Sequence, residues 1–478
     1  MSAGSEVAAR EAQFGILPVL PEERVWGFGD FTWVNIGLAI ATWAFLIGGT
    51  LSTFVDLRTG IAAAVIGNVI SVALMALATC APSGKWGLEQ YTALRSVLGA
   101  NGVRIVVLVW LVAIEVGWAA VLSIMFGRST THVVNAVAGT DFGPEARSVT
   151  LFAAFAIIVC WLVLSRGPIS IKWVNRVVAP GLFVVQLLMV FLLLGEHDWA
   201  TLAAITPEGA SGDRDLDFML AVEINMAAGF SWWPVLGSLA RVTKTRRASF
   251  WPNMIGLCGA AVIGETVGLM AGLALGEADP TVWMIPLGGI LLGALALLWI
   301  ALANVTSAVS IAYSTCLALK QIATGPLRAL SWPALTAGFF AIPLVLTLWP
   351  GAVYDNFQQF LIWSGVAFAP LSAVYLVDYF LLRRQLIDLH ALYDDGPRAS
   401  YRFFAGFNPA ALIAIAIGSA LYVLMLNPAT FEQTLPGFAY LTASLPAFAV
   451  AGVVHYALTR FWIRARGLGG YAEQENAG

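Results

Sequence analysis

A carboxylate and an indole stand three residues apart in the middle of an apolar run, Glu115 and Trp118. In a helix that spacing puts both side chains on one face. A carboxylate at membrane depth is costly and marks a working site more often than not, and an indole offers a flat apolar face for stacking. Together they have the chemistry to hold a flat polar solute, with the acid reading its edge. The bland alternatives are a Glu that is protonated or bridged to another helix, and a Trp that only packs. Glu265 also lies deep in an apolar run, where a structural and a proton-handling role are equally open. Glu223 and Asn225 begin another run near its outer end, where hydration is expected to explain them. Ala303-Asn304-Val305-Thr306-Ser307 forms a patch of small and hydroxyl residues. A carbonyl and two hydroxyls there suit a hard cation such as sodium, although Ser and Thr also bond back to their own helical turn.

The elements that must position these groups follow from composition. Of the 478 residues, 59% are apolar and 11% charged, too little polar surface to cover the apolar mass in water. The surrounding solvent is therefore lipid, and the near-neutral charge of -3 with no basic stripe excludes a nucleic-acid partner. Runs long enough to cross a bilayer recur along the chain. We place about twelve spans near 33–52, 60–80, 105–126, 149–165, 177–195, 218–240, 252–276, 296–319, 332–349, 357–382, 410–426 and 438–460. The stretch Val282 to Leu319 exceeds one crossing, so its first third is expected as a separate helix over the outer mouth. Basic residues collect on alternate connections, among them Lys85, Arg104, Arg166, Lys172, Arg241, Arg328 and Arg383. That asymmetry predicts both termini on the cytoplasmic side of an inner, or plasma, membrane.

No connection is long enough to fold alone, and no phosphate-binding loop occurs, so nucleotide-driven transport is excluded. The four cysteines read as small buried hydrophobes, and the four histidines lie near span ends or in loops, away from any intramembrane metal site. Nothing calls for an organic cofactor, and energy must come from an ion gradient.

Glycine and proline clusters inside spans mark backbone that must line a cavity or be buried in protein. The first span holds Gly37, Gly48 and Gly49, and the sixth holds Gly229-Phe-Ser-Trp-Trp-Pro234 and Gly237. Five crossings separate them, the spacing of an inverted five-helix repeat with a broken helix opening each half. Close helix packing is the competing explanation, stronger for Gly48 and Gly49 than for the Gly229–Pro234 cluster.

Four segments in order resemble the nucleobase:cation symporter family, which includes cytosine and purine-cytosine permeases and hydantoin and allantoin carriers. They are Gly37 with Gly48-Gly49-Thr50-Leu51 and Ala64-Val65-Ile66-Gly67-Asn68; Glu115-Val116-Gly117-Trp118; Ser231-Trp232-Trp233-Pro234 leading to Ser238 and Arg241; and Pro370 through Asp378-Tyr379-Phe380 to Arg383-Arg384, then Gly406-Phe407-Asn408-Pro409-Ala410. The resemblance implies an all-α integral membrane protein with a five-plus-five inverted-repeat core, helices one and six broken, and two added C-terminal helices. The corresponding segments are a tail at 1–28, repeats at 29–200 and 201–384, helices eleven and twelve at 385–462, and a tail at 463–478.

It further implies a heterocycle held between Trp118 and a helix-six aromatic, either Phe230 or Trp232, with Glu115, Ser231, Ala41 and Asn304 around it. A Na⁺ site is implied at the carbonyls of Gly37, Ile40 and Ala303 and the hydroxyls of Thr306 and Ser307. Three departures bear on specificity: Glu115 replaces a Gln, Ser238 an Asp and Ala303 an Asn of the resembling permeases. An ionised Glu only accepts hydrogen bonds, so donor-rich edges are favoured over uracil or hydantoin. The expected function is secondary import of a cytosine- or purine-like base, coupled to Na⁺ or H⁺ and carried out by a monomer in contact with lipid. A thiamine precursor or another amidine-bearing cation is the alternative solute. A membrane-embedded enzyme or a passive channel is the alternative class; the first lacks a convergent nucleophile or metal set, and midplane aromatics disfavour the second.

Overall fold

A computed structural model describes residues 17–165, 168–323, 329–394, 396 and 399–471; the outer ends of both expected tails, with Arg166 and Arg328, lie outside the described residues. The described chain is helical throughout, with three isolated bridges in place of sheet. We number its main helices α1 Phe28–Ala39, α2 Thr42–Leu51, α3 Leu57–Trp86, α4 Gln90–Leu98, α5 Ala100–Ala138, α6 Arg147–Leu164, α7 Pro168–Glu196 and α8 Arg214–Phe230. They continue as α9 Trp233–Ala240, α10 Arg246–Leu275, α11 Pro280–Gly288, α12 Ala294–Ile322, α13 Trp332–Leu346, α14 Phe357–Leu382, α15 Pro409–Met425 and α16 Ser444–Leu458.

Among the described residues seven helical stretches are long and apolar enough to cross a membrane, and α1 with α2 makes an eighth, bent by 54°. Helices α13 and α15 are shorter apolar helices at two further expected positions. The helix expected over the outer mouth is α11, separated from α12 by a turn at Gly289, whose φ of 68° a side chain would strain. Starts and stops follow local chemistry. Asp56, Asp213, Asp279 and Asn408 accept backbone N–H groups at the starts of α3, α8, α11 and α15. Gly87, Gly139 and Gly276 end α3, α5 and α10 in the left-handed region.

Helix pairs recur with an offset of five spans. The second half of span one, α2, packs on span seven, α10, and span six, α8, packs on span two, α3. Likewise α1 lies on α7, and α8 on α14. The close approaches need glycine: a side-chain carbon on Gly48 would collide with the Glu265 backbone, and one on Gly268 with that of Phe45. Around this core, large apolar side chains such as Leu108, Phe191, Leu291, Val453 and Phe461 point outward, the surface a lipid belt requires.

One expectation is overturned here. Glu223 and Asn225 are not hydrated at a span end: both are fully buried. The Glu223 carboxylate accepts from the Tyr422 and Ser444 hydroxyls at 2.6 Å and from the Ala443 and Ser444 N–H groups at 2.8 Å. Helices α15 and α16 cover that end of α8, and four donors replace water. The C-terminal part is tied in at its other end by Asp378, which pairs with Arg383 at 2.6 Å and accepts the Tyr471 hydroxyl at 2.5 Å, while Arg383 donates to the Ser96 and Gly469 carbonyls. The long connection after Arg383 is thus docked onto α4 and the C-terminal segment.

Candidate functional site

Helix one is interrupted where Ile40 and Ala41 leave the helical region, Ala41 at φ −134° and ψ 176°. Trp43 follows at once and ties its indole N–H back across the break to the Leu38 carbonyl at 3.1 Å. Helix six is interrupted at Ser231-Trp232, both of which keep helical dihedrals, with Trp233 and Pro234 opening α9. Pro234 supplies no N–H, which the first turn of a helix does not need.

Three indoles meet between these two breaks and α5. Trp118 stacks on Trp232 with centroids 5.5 Å apart and planes 30° from parallel. Trp43 abuts both, at 6.1 Å from Trp118 and 5.8 Å from Trp232. Phe357 and Phe360 of α14 close the far side of Trp118 edge-on at 5.6 and 5.5 Å. Gly117 makes room for the Phe360 ring. Of the two helix-six aromatics left open above, Trp232 is the one stacked on Trp118; Phe230 is buried in the core. Trp43, Phe357 and Phe360 were not singled out from sequence. The signal for Trp43 was its place two residues beyond the interruption.

The polar members differ in state. Both Glu115 carboxyl oxygens are buried with no hydrogen-bond partner, as is the Trp232 indole nitrogen. Asn304 donates to the Thr42 hydroxyl at 2.9 Å and keeps its own carbonyl oxygen unpaired. Each such group costs about 1–3 kcal/mol while unpaired, so a solute that pairs them is bound correspondingly better. Ser231 is spent on its own helix, donating to the Ala228 carbonyl at 2.6 Å, and Ala41 contributes only the extended break.

A second cluster lies where α12 crosses the interruption of helix one. The Thr306 hydroxyl is 3.2 Å from the Gly37 carbonyl and 2.9 Å from that of Ala303. Ser307 Oγ is 3.4 Å from the carbonyls of Gly37 and Leu38. The Ile40 carbonyl takes no bond from either hydroxyl, and Leu38, not expected from sequence, joins the set. All of these donors are hard oxygens, which suits an alkali or alkaline-earth cation and not a soft transition metal.

Ion pairs and hydrogen bonds join the helices toward both ends of the bundle. Toward one end Arg128 of α5 pairs with Asp279 at 2.6 Å, its guanidinium 3.9 Å from the Tyr354 ring centroid, and Gln358 donates to Thr50 at 2.8 Å. Toward the other end Asp30 of α1 holds Lys172 at 2.9 Å and Arg176 at 2.5 Å on α7. Arg24 donates to the Gly84 carbonyl at 2.8 Å. Ser238, where relatives were expected to carry Asp, donates to the buried Glu89 carboxylate at 3.0 Å, so a carboxylate is supplied to that spot from another helix. Burial holds the Glu89 carboxyl above the usual carboxylate range, against the pull of the Tyr91 and Thr92 N–H groups and Arg241.

Residues 18–446 match the family described as permeases for cytosine/purines, uracil, thiamine and allantoin. The chain belongs to that family. It is a multi-pass membrane transport protein, not an enzyme. A purine-uracil permease of Arabidopsis thaliana is 23% identical, the match covering 92% of this chain and 76% of that one. A hydantoin permease of Microbacterium maritypicum is 22% identical over 91% of this chain and 90% of its own length. Among solved structures, the nucleobase-cation-symport-1 family transporter Mhp1, in a closed conformation with bromovinylhydantoin bound, has the same fold, with a TM-score of 0.72 at 18% identity over 93% of this chain and 95% of that one.

The Arg128–Asp279 contact gives a first prediction. Arg128→Gln breaks an ion pair that is mostly buried, so the population of molecules open at that end rises by at least about fivefold, the equivalent of about 1 kcal/mol. The rate at which a membrane-impermeant thiol reagent modifies a Gln358→Cys variant lacking the four native cysteines rises by that factor. An unchanged rate would mean that Arg128 and Asp279 only pack.

Proposed function

We propose that the permease imports a flat nitrogen heterocycle of the cytosine or purine kind, clamped between Trp118 and Trp232, in symport with Na⁺. The observation that carries this reading is the Trp118–Trp232 pair, two indoles from different helices stacked beside an interruption in each of helices one and six. Aromatic rings contact at about 3.5–4.0 Å, so a ring between the two indoles needs them about 7 Å apart. Parting them by about 2 Å is within reach of one bundle rocking against the other. The unpaired Glu115 oxygens favour a solute edge with two or more N–H donors, such as an aminopyrimidine or guanine. That edge chemistry also admits an amidine-bearing thiamine precursor. The family relationship supports the solute class, which among the relatives includes a purine-uracil permease and a hydantoin permease. The basic residues on alternate connections support an inner-membrane placement with cytoplasmic termini.

For the ion, the carbonyls of Gly37 and Ala303 with the hydroxyls of Thr306 and Ser307 join the interruption of helix one to α12. A cation there neutralises the carbonyl dipoles and ties the bundle to α12, so its binding favours one orientation of the bundle. Thr306→Val and Ser307→Ala each remove one oxygen. Each raises the Na⁺ concentration for half-maximal uptake about tenfold, which is about 1.4 kcal/mol.

The reading is tested by uptake of labelled cytosine, adenine, guanine and hydroxymethylpyrimidine into proteoliposomes with and without an inward Na⁺ gradient. Saturable uptake of at least one base, stimulated by the gradient and capable of counterflow, supports it. Uptake that ignores the gradient rejects symport with Na⁺, and non-saturable flux rejects a carrier.

A further inference from the structure

A third polar cluster lies inside the bundle formed by α2, α3, α8 and α10, used neither by the stacked indoles nor by the hydroxyl–carbonyl set. Asn68 of α3 donates from one amide nitrogen to Glu265 Oε2 of α10 at 2.7 Å and to Asn225 Oδ1 of α8 at 3.3 Å. Asn225 donates in turn to the Ala221 carbonyl at 2.7 Å. All three side chains are buried, Glu265 at 1% exposure. Its other oxygen, Oε1, has no hydrogen-bond partner. Each of the three residues lies ten or eleven positions from the outer end of its helix. At 1.5 Å per residue that is about 16 Å, near the middle of a bilayer core of about 30 Å.

Among the described residues no counter-charge is at hand. Helix α2, which packs against α10 through Gly48 and Gly268, carries no ionisable side chain. From α3 the facing group is the neutral Asn68, from α8 the neutral Asn225, and from α7 the neutral Gln186 beside Gly264. Glu223 of α8 is held by Tyr422 and Ser444 on the accessory helices. The titratable neighbour of Glu265 is the Cys258 thiol on its own helix. A carboxylate charge buried without a cation costs several kcal/mol, against about 1–3 kcal/mol for one unpaired neutral oxygen. The neutral acid is therefore the form that fits this closed state.

The cluster adjoins the helix-six interruption: Ser71, one turn along α3 from Asn68, packs against Gly229 at the end of α8, beside Trp232. We propose that Glu265 is a proton-carrying site: it takes a proton from the outer solution before the bundle closes and releases it toward the cytoplasm past Ser71 and the helix-six interruption, so that a proton accompanies the solute. The O–H bond forms on Oε1 from outer water and breaks when inner water reaches the cluster; no other bond changes. This deepens the transport reading and rests on it, except for its spectroscopic arm.

That arm needs no solute. Infrared spectra of the purified permease at neutral pH contain a C=O stretching band of a buried protonated carboxyl that Glu265→Gln removes and Asn68→Ala, which deletes the bond donated to Oε2, moves to higher frequency. Spectra unchanged by both substitutions overturn the proposal. In the second arm, proteoliposomes loaded with a pH-sensitive dye and equal Na⁺ on both sides receive cytosine, adenine or guanine. The unmodified permease acidifies the interior as the base enters, and Glu265→Gln lowers that acidification at least tenfold per base transported. Base entry without acidification overturns the proton-carrying role. If no base enters, the transport reading fails, while the infrared band still decides whether the carboxyl holds a proton.

Discussion

Trp118→Ala weakens binding of the transported heterocycle by about 5- to 150-fold, the equivalent of about 1–3 kcal/mol for one base–aromatic stack. The loss is expected near the upper end because Trp118 is the hub of its cluster, touching Trp43, Trp232, Phe357 and Phe360. Removing it deletes the platform and loosens the rings that hold it at the correct tilt. Trp118→Phe retains a π face in a smaller area and recovers most of the affinity. Equilibrium binding of labelled base to purified protein measures both variants. A Trp118→Ala protein with unchanged affinity, folded as judged by its thermal transition, contradicts a stacking role.

Glu115→Gln changes which solute is preferred. Facing a donor-rich solute edge, which supplies the partners its oxygens lack in the closed state, Glu115 is ionised and accepts with both oxygens, whereas a carboxamide accepts with one end and donates with the other. Bases that present two N–H groups to this position lose a charge-assisted bond of about 1.5–3 kcal/mol, or about 10- to 150-fold in affinity. Bases that present a carbonyl beside an N–H, such as uracil, gain in the variant. Competition of unlabelled bases against a labelled one, run on both proteins, reads the exchange directly. An identical rank order in the two proteins removes Glu115 from solute recognition and leaves its unpaired oxygens to a structural explanation.

Glu115 and Trp118 were legible because a three-residue spacing fixes a shared helix face whatever surrounds it. Glycine clusters pointed to the neighbourhood of both interruptions, although Gly48 and Gly229 serve close packing on Glu265 and Ser71 and the breaks themselves fall at Ile40-Ala41 and Ser231-Trp232. The choice between Phe230 and Trp232 was out of reach. Helical counting fails across an interruption, and Ser231-Trp232 turns the chain while keeping helical dihedrals. Glu223 was misjudged for another reason: its hydropathy context gives its distance from a span end but not that α15 and α16 cover it. The bond between Asn68 and Glu265 joins residues 197 apart in sequence, so each was visible only as a lone polar group in an apolar run. Thr306 and Ser307 were legible as a patch suited to a hard cation, but their carbonyl partners in helix one came only through the family resemblance, because hydroxyls on a helix face also bond to their own turn. Thr306 does both, bonding to the Ala303 carbonyl and across to Gly37.

The measurement that bears most directly on the central claim is a structure of the permease with Na⁺ and the base it takes up best. The account predicts the base lying between the Trp118 and Trp232 rings, the indoles parted to about 7 Å, and a donor edge turned to Glu115. A base bound elsewhere, with the two indoles still in contact, would contradict it.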